Sequence, residues 1–371
     1  MKSGNYTYIW QHPDWPNWQF DAAALSAQLA AVHRAQGRML GRMESLGFEL
    51  RSQATLNILT DDVLKTSEIE GEKLSQEMVR SSLAQRLGID IGALTIADRN
   101  VEGVVAMVLD ATGSYAQPLS QQRLFTWHEE LFPDGYRSLS KIRVGQWRAD
   151  GKGPMQVVSG AIGRQTIHYE APPAKVLNKE MKLFLNWFNS KPDCDPVLKA
   201  GLAHLWFVTI HPFEDGNGRI ARAVGDRALA QSEQSSQRFY SLSAQIQRER
   251  KDYYLLLERT QKGGMDVTEW LDWFLGCLHR AIDGAEATLS SVLNKSNFWI
   301  LWSGTSFNER QIKIINRLLD GFEGKMNSSK WAAIAKCSPD SALRDANDLI
   351  ARGVLRKSES GGRSTSYELV D

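Results

Sequence analysis

Cysteine, net charge and long apolar runs are all scarce in this 371-residue sequence. The three cysteines, Cys194, Cys277 and Cys337, are widely separated and match neither a metal-binding spacing nor a disulfide framework, so we expect them to be reduced and structural. A formal net charge of +1 argues against a general polyanion binder. No run is long enough to span a membrane, and Met1–Tyr6 lack the apolar core of a signal peptide, so we expect a cytoplasmic protein.

The remaining composition is that of an ordinary globular protein, 42% hydrophobic and 23% charged, and the length allows two or three domains. Apolar residues recur at helical spacing over most of the chain. Predicted helices cover residues 22–46, 53–69, 75–87, 97–109, 120–131, 172–189, 197–210, 219–230, 247–261 and 267–292. The helical period disappears between Tyr136 and Pro173, where Val157–Gly160 and Gln165–Glu170, joined through Gly163, predict a β-hairpin.

An aromatic stretch precedes the first helix. Trp10, Trp15 and Trp18 crowd into residues 8–20 together with two prolines, which forbid a regular helix there. We interpret this stretch as a brace that clamps onto other elements through its apolar mass. A peptide-binding aromatic groove is the functional alternative.

The most informative stretch is His211–Arg222, which reads HPFEDGNGRIAR. The preceding residues, 197–210, are apolar nearly all round and predict a buried helix that Pro212 stops. Helical spacing resumes at Arg219, so Gly216–Gly218 are predicted to form a tight turn at a helix N-terminus. Such a turn presents free N–H groups and the positive end of the helix dipole to anions such as phosphate.

The side chains of this stretch fit nucleotide binding and group transfer. His211 can accept a proton near neutral pH, and Asp215 offers hard oxygen ligands for a magnesium ion that bridges phosphates. Arg219 and Arg222 share one helical face, where they can grip the outer phosphates. A calcium loop is excluded because its first and last ligand positions would be apolar. A plain polar turn is the bland alternative, but a turn needs only the Gly-Asn-Gly part.

The stretch resembles the HPFx(D/E)GNGRxxR motif of Fic-domain proteins at every defined position. The resemblance implies a mainly α fold with a Fic-type helical core and a β-hairpin flap. It also implies transfer of AMP from ATP, with Mg²⁺, to a Ser, Thr or Tyr hydroxyl of a target protein. His211 would be the general base and Asp215 the metal ligand. The motif residues implied in nucleotide binding are Glu214, Asp215, Gly216, Asn217, Gly218, Arg219 and Arg222.

Three other segments resemble parts of the Fic site. The predicted hairpin, residues 155–169, resembles the flap, whose exposed strand pairs with the target segment; a decorative hairpin is the alternative. Flap residues implied beside the nucleotide are Gln165, Thr166, Ile167 and His168. Tyr253 and Tyr254 resemble a pair beside the base and ribose, where a ring can stack on adenine, and Gln261 stands where relatives have Asn. His128 lies in a His-x-x-Leu segment that resembles the start of the Fic domain, and we interpret it as a packing residue rather than a ligand.

Thr66–Gly71, with the sequence TSEIEG, resembles the (S/T)xxxE(G/N) inhibitory motif of the same family. Taken alone, it is an acidic helix end closed by glycine. A Glu70 carboxylate that reached Arg222 would form a forked ion pair and occupy donors that the ATP γ-phosphate needs. The resemblance therefore implies autoinhibition by Glu70 within the same chain.

The last segment is typical of a winged helix, with predicted helices at 309–319, 329–336 and 341–351 and strands at 354–357 and 364–369 around Gly361 and Gly362. Its third helix would read DNA through Arg344, Asn347 and Arg352. Aspartates on the same segment weaken the attraction to phosphate, so a protein-contact or homodimer role is favoured over DNA binding.

The predicted domains are therefore 1–112, an N-terminal helical region with the inhibitory motif; 113–290, the Fic catalytic domain; and 300–371, the winged helix. Two functions compete with an adenylyltransferase. One is a Fic-type enzyme that uses another nucleotide donor or removes AMP. The other is a non-enzymatic winged-helix regulator that senses nucleotide, which an intact His211 and Asp215 disfavour because sensing needs neither a base nor a metal ligand.

Overall fold

The computed structural model of the chain describes residues 6–44, 46–92, 94–137, 140–151, 153–160, 164–191, 193–319, 322, 325–358 and 365–370. The chain divides into two compact units, residues 1–285 and residues 286–371. Most elements are helices and the strands are short and antiparallel, which confirms the predicted mainly α fold. Across these described ranges, no helix is both long and apolar enough to cross a membrane.

Helices make up most of the first unit. In chain order they are α1 (Ala22–Glu44), α2 (Phe48–Ile69), α3 (Gln76–Leu87), α4 (Arg99–Gly113), α5 (Gln121–Leu131), α6 (Leu177–Asn189), α7 (Pro196–Ile210), α8 (Asn217–Glu233), α9 (Leu242–Arg248), α10 (Arg250–Gln261) and α11 (Thr268–Leu301). Single 3₁₀ turns occupy Ile9–Gln11 and Ala174–Val176. The helix predicted at 247–261 is wrong in extent, because the chain breaks at Glu249 into α9 and α10.

Local sequence explains where several helices begin. The side chains of Asp98, Ser120 and Ser241 accept hydrogen bonds from backbone N–H groups in the first turns of α4, α5 and α9, as N-cap residues do. Asp195 caps α7 in the same way, with Pro196 at the first helical position. These caps fix the residue at which each helix begins.

The buried helix α7 supports the candidate site. Every residue from Val197 to Ile210 is buried, as expected for a segment that is apolar on all sides. It packs against α8, in which all residues from Arg219 to Ala230 are buried. The turn between the two helices, residues 211–216, is therefore held at both ends by the core.

The predicted hairpin is confirmed. Two short antiparallel pairs are present: β1 (Tyr136–Arg137) with β2 (Ser140–Lys141), and β3 (Gln156–Ser159) with β4 (Thr166–Glu170). In the second pair Ser159 lies opposite Thr166, and a bulge between Val157 and Val158 shifts the register. The predicted turn residue Gly163 lies outside the described residues.

In its described part, the second unit combines helices with one small sheet. Its elements are α12 (Glu309–Leu319), β5 (Met326–Asn327), α13 (Ser328–Ala335), α14 (Pro339–Ala351), β6 (Leu355–Lys357) and β7 (Ser366–Leu369). The sheet is antiparallel in the order β5-β7-β6, and Ile314, Trp331 and Leu349 lie in the core beneath it. The helices and the last two strands lie where the winged-helix pattern predicted them, and β5 is additional. The predicted turn glycines, Gly361 and Gly362, lie outside the described residues.

Candidate active site

His211, the catalytic candidate, lies at the end of α7, where the helical conformation stops. His211 adopts the left-handed conformation, with φ 52° and ψ 58°, and its N–H donates to the Phe207 carbonyl as the last bond of the helix. This conformation costs a residue other than glycine about 1 to 2 kcal/mol. Pro212 follows at once and prevents the helix from continuing. The strained position places the imidazole beside the turn that leads into α8.

The imidazole of His211 is set up as a neutral base. Its Nδ1 lies 3.2 Å from the Val208 carbonyl oxygen, so Nδ1 carries the hydrogen and donates it. The other ring nitrogen, Nε2, therefore keeps its lone pair. Burial lowers the pKa of His211 to about 4, and the Val208 carbonyl and Glu70 offset only part of that effect. At neutral pH the ring is thus uncharged and able to accept a proton at Nε2.

A buried arginine holds the His211 loop in place, and our sequence analysis missed it. Arg148 Nε donates to the His211 carbonyl at 2.7 Å, and its Nη2 donates to the Pro172 carbonyl at 2.5 Å. The backbone N–H of Arg148 donates to the Pro212 carbonyl at 2.9 Å. One side chain therefore joins the end of the hairpin to the catalytic loop. In the sequence, Arg148 is marked only by its position next to Trp147 in a stretch without a regular period.

The turn into α8 forms a cradle at residues 216–218, where a carboxylate lies in this structure. Gly216 adopts φ 77°, which only glycine tolerates easily, and α8 begins at the next residue rather than at Arg219 as predicted. The Asn217 amide bonds to both backbone groups of Phe213, at 2.9 and 2.8 Å, so this side chain closes the loop instead of facing a ligand. A Cβ atom built on Gly218 would lie 2.2 Å from Glu70 Oε1. The Glu70 carboxylate therefore occupies the first turn of α8.

Glu70 also contacts the second motif arginine. Arg222, whose side chain is only 2% exposed, donates from Nη2 to Glu70 Oε1 at 2.7 Å. The pair has this single contact rather than the predicted fork, because Arg222 Nε donates to Thr66 Oγ1 at 2.8 Å. Burial alone would raise the pKa of Glu70, but Arg222 and Arg219 outweigh it and hold that pKa below its usual range. Arg222 Nη1 has no hydrogen-bond partner among the described residues and faces the cradle.

The first motif arginine is held by a second acid that the sequence analysis did not single out. Arg219 Nη1 lies 2.7 Å from Glu72 Oε2, and its guanidinium lies 5.1 Å from the centre of the Phe132 ring. Gly71, at φ 85°, turns the chain between the two acids. Both motif arginines are thus paired with carboxylates from the end of α2.

The acidic motif residues lie beside this cradle. Asp215 Oδ1 accepts a hydrogen bond from Gly216 N at 2.7 Å, and the Asp215 carbonyl accepts one from His128 Nε2 at 3.2 Å. Glu214 accepts from the backbone N–H of Arg143 at 3.0 Å. His128 is stacked on Phe213 with ring centres 4.2 Å apart, and burial lowers its pKa to about 4. It is neutral packing, in agreement with its predicted role.

Comparisons with known proteins match two parts of the chain to family models. Residues 118–229 match the model of the Fic/DOC family, and residues 8–89 match that of a domain of unknown function, DUF4172. The chain contains a Fic/DOC domain. The protein adenylyltransferase Fic of Nematostella vectensis is 36% identical over 115 residues, which are 30% of this chain and 25% of that protein. The protein adenylyltransferase fic-1 of Caenorhabditis elegans is 30% identical over 164 residues, 44% of this chain and 30% of that protein.

The chain thus spans only about a quarter to a third of the length of these curated relatives. A solved structure, a Fic family protein from Desulfovibrio desulfuricans G20, covers 92% of this chain and 96% of its own with a TM-score of 0.51. Its sequence identity is 20%, so the likeness establishes a shared fold.

A histidine of the β3–β4 hairpin contacts α10. His168 Nδ1 donates to Glu258 Oε2 at 2.7 Å, and Ser159 Oγ lies 2.6 Å from its Nε2. Both ring nitrogens of His168 are therefore engaged. Gln165, Thr166 and Ile167 are exposed on β4 and the approach to it.

Of the three side chains predicted to contact the adenine or the ribose, two are buried. Tyr253 is 1% exposed and its hydroxyl lies 3.0 Å from His204 Nε2, so it is a core residue. Gln261 is also buried and donates to Thr209 Oγ1 at 3.3 Å. Tyr254 is 38% exposed, and the Arg250 guanidinium lies 5.6 Å from the centre of its ring. In this structure Tyr253 and Gln261 therefore point into the core, and their predicted roles beside the nucleotide stay predictions.

The cradle suits a magnesium ion that is bound mainly through phosphates. No group of three potential ligands among His, Cys, Asp and Glu occurs among the described residues. Magnesium in nucleotide sites is commonly held by one or two carboxylates, with phosphate and water oxygens completing its shell. The single carboxylate of Asp215 next to the anion cradle fits that pattern.

Proposed function

We propose that this protein transfers AMP from ATP to a hydroxyl group of a target protein. The observation that carries the proposal is the neutral His211, with Nε2 free, beside a helix N-terminus where two buried arginines face an anion site. The relatives named as protein adenylyltransferases support the same chemistry. A nucleotide sensor would need the arginines and the cradle, but it would gain nothing from a strained neutral histidine at that position.

The reaction follows from the positions of these groups. His211 Nε2 takes the proton of the acceptor Ser, Thr or Tyr hydroxyl while the hydroxyl oxygen attacks the α-phosphorus of ATP. The bond from that phosphorus to the oxygen bridging to the β-phosphate breaks, and pyrophosphate leaves. Backbone N–H groups of Asn217 and Gly218 and the side chains of Arg219 and Arg222 balance the charge on the phosphates. Asp215 would hold Mg²⁺, which neutralises phosphate charge when bound.

The same geometry supports autoinhibition. The Glu70 oxygen lies where a phosphate oxygen of ATP would approach Gly218, and it neutralises the donor that Arg222 would offer to the γ-phosphate. Glu72 occupies Arg219 in the same way. Because both acids belong to the end of α2, a movement of that helix end away from α8 would free both arginines together. The proposed inhibitor is thus a pair of carboxylates, of which Glu70 is the more buried.

The proposed target docks on the flap. Val157, Val158 and Ile167 are 36%, 40% and 45% exposed, and such apolar residues on an exposed hairpin suit an added strand from a partner. The role proposed for the second unit is protein contact or homodimerisation. On α14, Asp345 pairs with Arg310 and Asp348 with Arg352, so these two arginines are already neutralised by carboxylates.

A second candidate is transfer from a different nucleotide. The burial of Tyr253 and Gln261 leaves adenine with only Tyr254 as a predicted contact, so the observed site does not define the base strictly.

The decisive experiment incubates the full chain with magnesium, a cell lysate and ATP, GTP, CTP or UTP labelled at the α-phosphate. The wild type and Glu70→Gly are compared, with Glu68→Gln as a matched control on the same segment. We expect protein-bound label from ATP, stronger with Glu70→Gly. Label from another nucleotide alone would favour the second candidate, and no label with any donor would refute nucleotidyl transfer.

A further inference from the structure

The base of the flap is tied to the helix that carries the catalytic histidine. Tyr169, the fourth residue of β4, is 1% exposed, and its hydroxyl donates to the Thr209 carbonyl at 2.6 Å. Thr209 precedes His211 by two residues and lies in the last turn of α7. Carbonyl groups in the last turn of a helix lack partners within it, so this oxygen is available to an outside donor. One hydrogen bond thus links the flap strand directly to the catalytic turn.

Two residues of the N-terminal stretch, Tyr8 and Trp10, contact the same part of β4. Trp10 Nε1 donates to the Glu170 carbonyl at 2.8 Å, next to Tyr169 in the chain. The Tyr8 ring stands edge-on to the Tyr169 ring, with centres 5.3 Å apart and an angle of 86° between the planes. Ile9, between them, is fully buried. Residues 8–10 therefore fix both the backbone and the side chain at the base of β4.

The hairpin needs such outside contacts because it has only two strands. A two-stranded hairpin is marginally stable by itself in water. The residues near its free end are exposed, among them Val158 and Ile167, so the position of the flap depends on contacts at its base. Arg148, which joins the Pro172 and His211 carbonyls, fixes the chain just after β4. Tyr169 fixes the strand itself.

We propose that Tyr169, braced by Tyr8 and Trp10, is a positioning residue that sets the distance from a target docked on the flap to His211 Nε2. The proposal rests on the proposed transfer reaction. It gives the N-terminal region that matches the domain of unknown function a structural part in catalysis, separate from the inhibitory segment at the end of α2. A displacement of about 1 Å between reacting groups can cost on the order of 100-fold in rate. Small shifts at the base of β4 therefore matter at the acceptor hydroxyl.

The test compares Tyr169→Phe and Trp10→Phe, both made in the full-length Glu70→Gly chain. Each change removes one hydrogen-bond donor and keeps an aromatic ring. Tyr240→Phe is the matched control, because it removes a buried hydroxyl that bonds to Glu233, away from the flap. For each variant we would measure kcat and KM for a protein acceptor, KM for ATP, and hydrogen exchange of the backbone amides.

We expect Tyr169→Phe to lower kcat about tenfold with KM for ATP unchanged, since only the acceptor is displaced. We expect amide exchange in residues 156–170 to rise by about tenfold, the size of one lost neutral hydrogen bond, while exchange in α5 stays constant. Trp10→Phe should change both quantities in the same direction.

Two results would overturn the proposal. Unchanged exchange in 156–170 would mean that Tyr169 does not hold the flap, whether or not the chain transfers AMP. Faster exchange with unchanged kcat would mean that the position of the flap does not control the reaction. A Glu70→Gly parent that transfers no AMP would refute the proposed function, and the exchange data would still decide whether Tyr169 and Trp10 hold the hairpin.

Discussion

Replacing Glu70 by glycine should raise the rate of AMP transfer, because it removes the carboxylate from the cradle at Gly218. The change should not damage the fold. Glu70 is the C-cap of α2 and the chain already turns at Gly71, with φ 85°, so a second glycine is tolerated at this helix end. The side chain is 30% exposed, and among the described residues its hydrogen-bond partner is Arg222.

The size of the effect follows from the Glu70–Arg222 contact. It joins two charged groups at 2.7 Å, with the arginine side chain only 2% exposed. Hydrogen bonds to charged groups contribute about 1.5 to 3 kcal/mol, so releasing Arg222 corresponds to a roughly 10- to 150-fold gain in transfer at low ATP. Glu72→Gln should give less. The Glu72 carboxylate is 48% exposed, and exposed pairs contribute up to about 1 kcal/mol, or roughly fivefold.

The assay is the initial rate of labelled AMP incorporation into a competent acceptor, measured below and at saturating ATP. Glu68→Gln is the matched control, because Glu68 belongs to the same helix end but pairs with Lys65 at 2.6 Å. Its rate should stay within about twofold of the wild type, because Glu68 pairs with Lys65 and with neither motif arginine.

Arg222 supplies the second half of the test. Arg222→Ala should lose activity because it removes the phosphate donor, and the double variant with Glu70→Gly should resemble Arg222→Ala. A Glu70→Gly protein no faster than the wild type at any ATP concentration would refute the autoinhibitory reading. A double variant as fast as Glu70→Gly would refute the role of Arg222 as the donor.

Three further outcomes are expected. His211→Ala should abolish transfer while ATP binding persists. The wild-type His211 has a pKa of about 4 and is active when neutral, so kcat should stay flat as pH falls from 8 to about 6 and decline only toward pH 4. Loss of half of kcat near pH 6.5 would contradict the role of His211 as a neutral base. Asp215→Ala should lose transfer, and a magnesium chelator should do the same to the wild type; full activity in excess chelator would exclude the metal role. The full chain should give no tight, sequence-selective gel shift with DNA at physiological salt, and such a shift would reverse our view of the second unit.

The sequence alone was sufficient to predict the elements that depend on residues close together in the chain. The all-apolar run at 197–210 predicted the buried helix, and Pro212 and Gly216 marked the turn that follows it. The loss of the helical period after Tyr136, with glycines at 160 and 163, predicted the hairpin. Each of these features depends on side-chain spacing and backbone preferences over fewer than about 20 residues, which a sequence displays directly. The HPFEDGNGRIAR stretch was recognisable for the same reason, because its chemistry lies within one turn and one helix start.

Tertiary structure decided which groups meet across the fold. The sequence pointed to Glu70 opposite Arg222 only through a family resemblance, and it gave no sign that Glu72 would pair with Arg219. Contacts between segments more than about 100 residues apart depend on how α2 packs against α8, and the same carboxylates could face water in another packing. The burial of Tyr253 and Gln261, the hydrogen bonds of Arg148, and the bond from Tyr169 to the Thr209 carbonyl also depend on how separate segments of the chain pack together. In each, the residue type allows the contact, but only the packed chain brings the partners within hydrogen-bond distance.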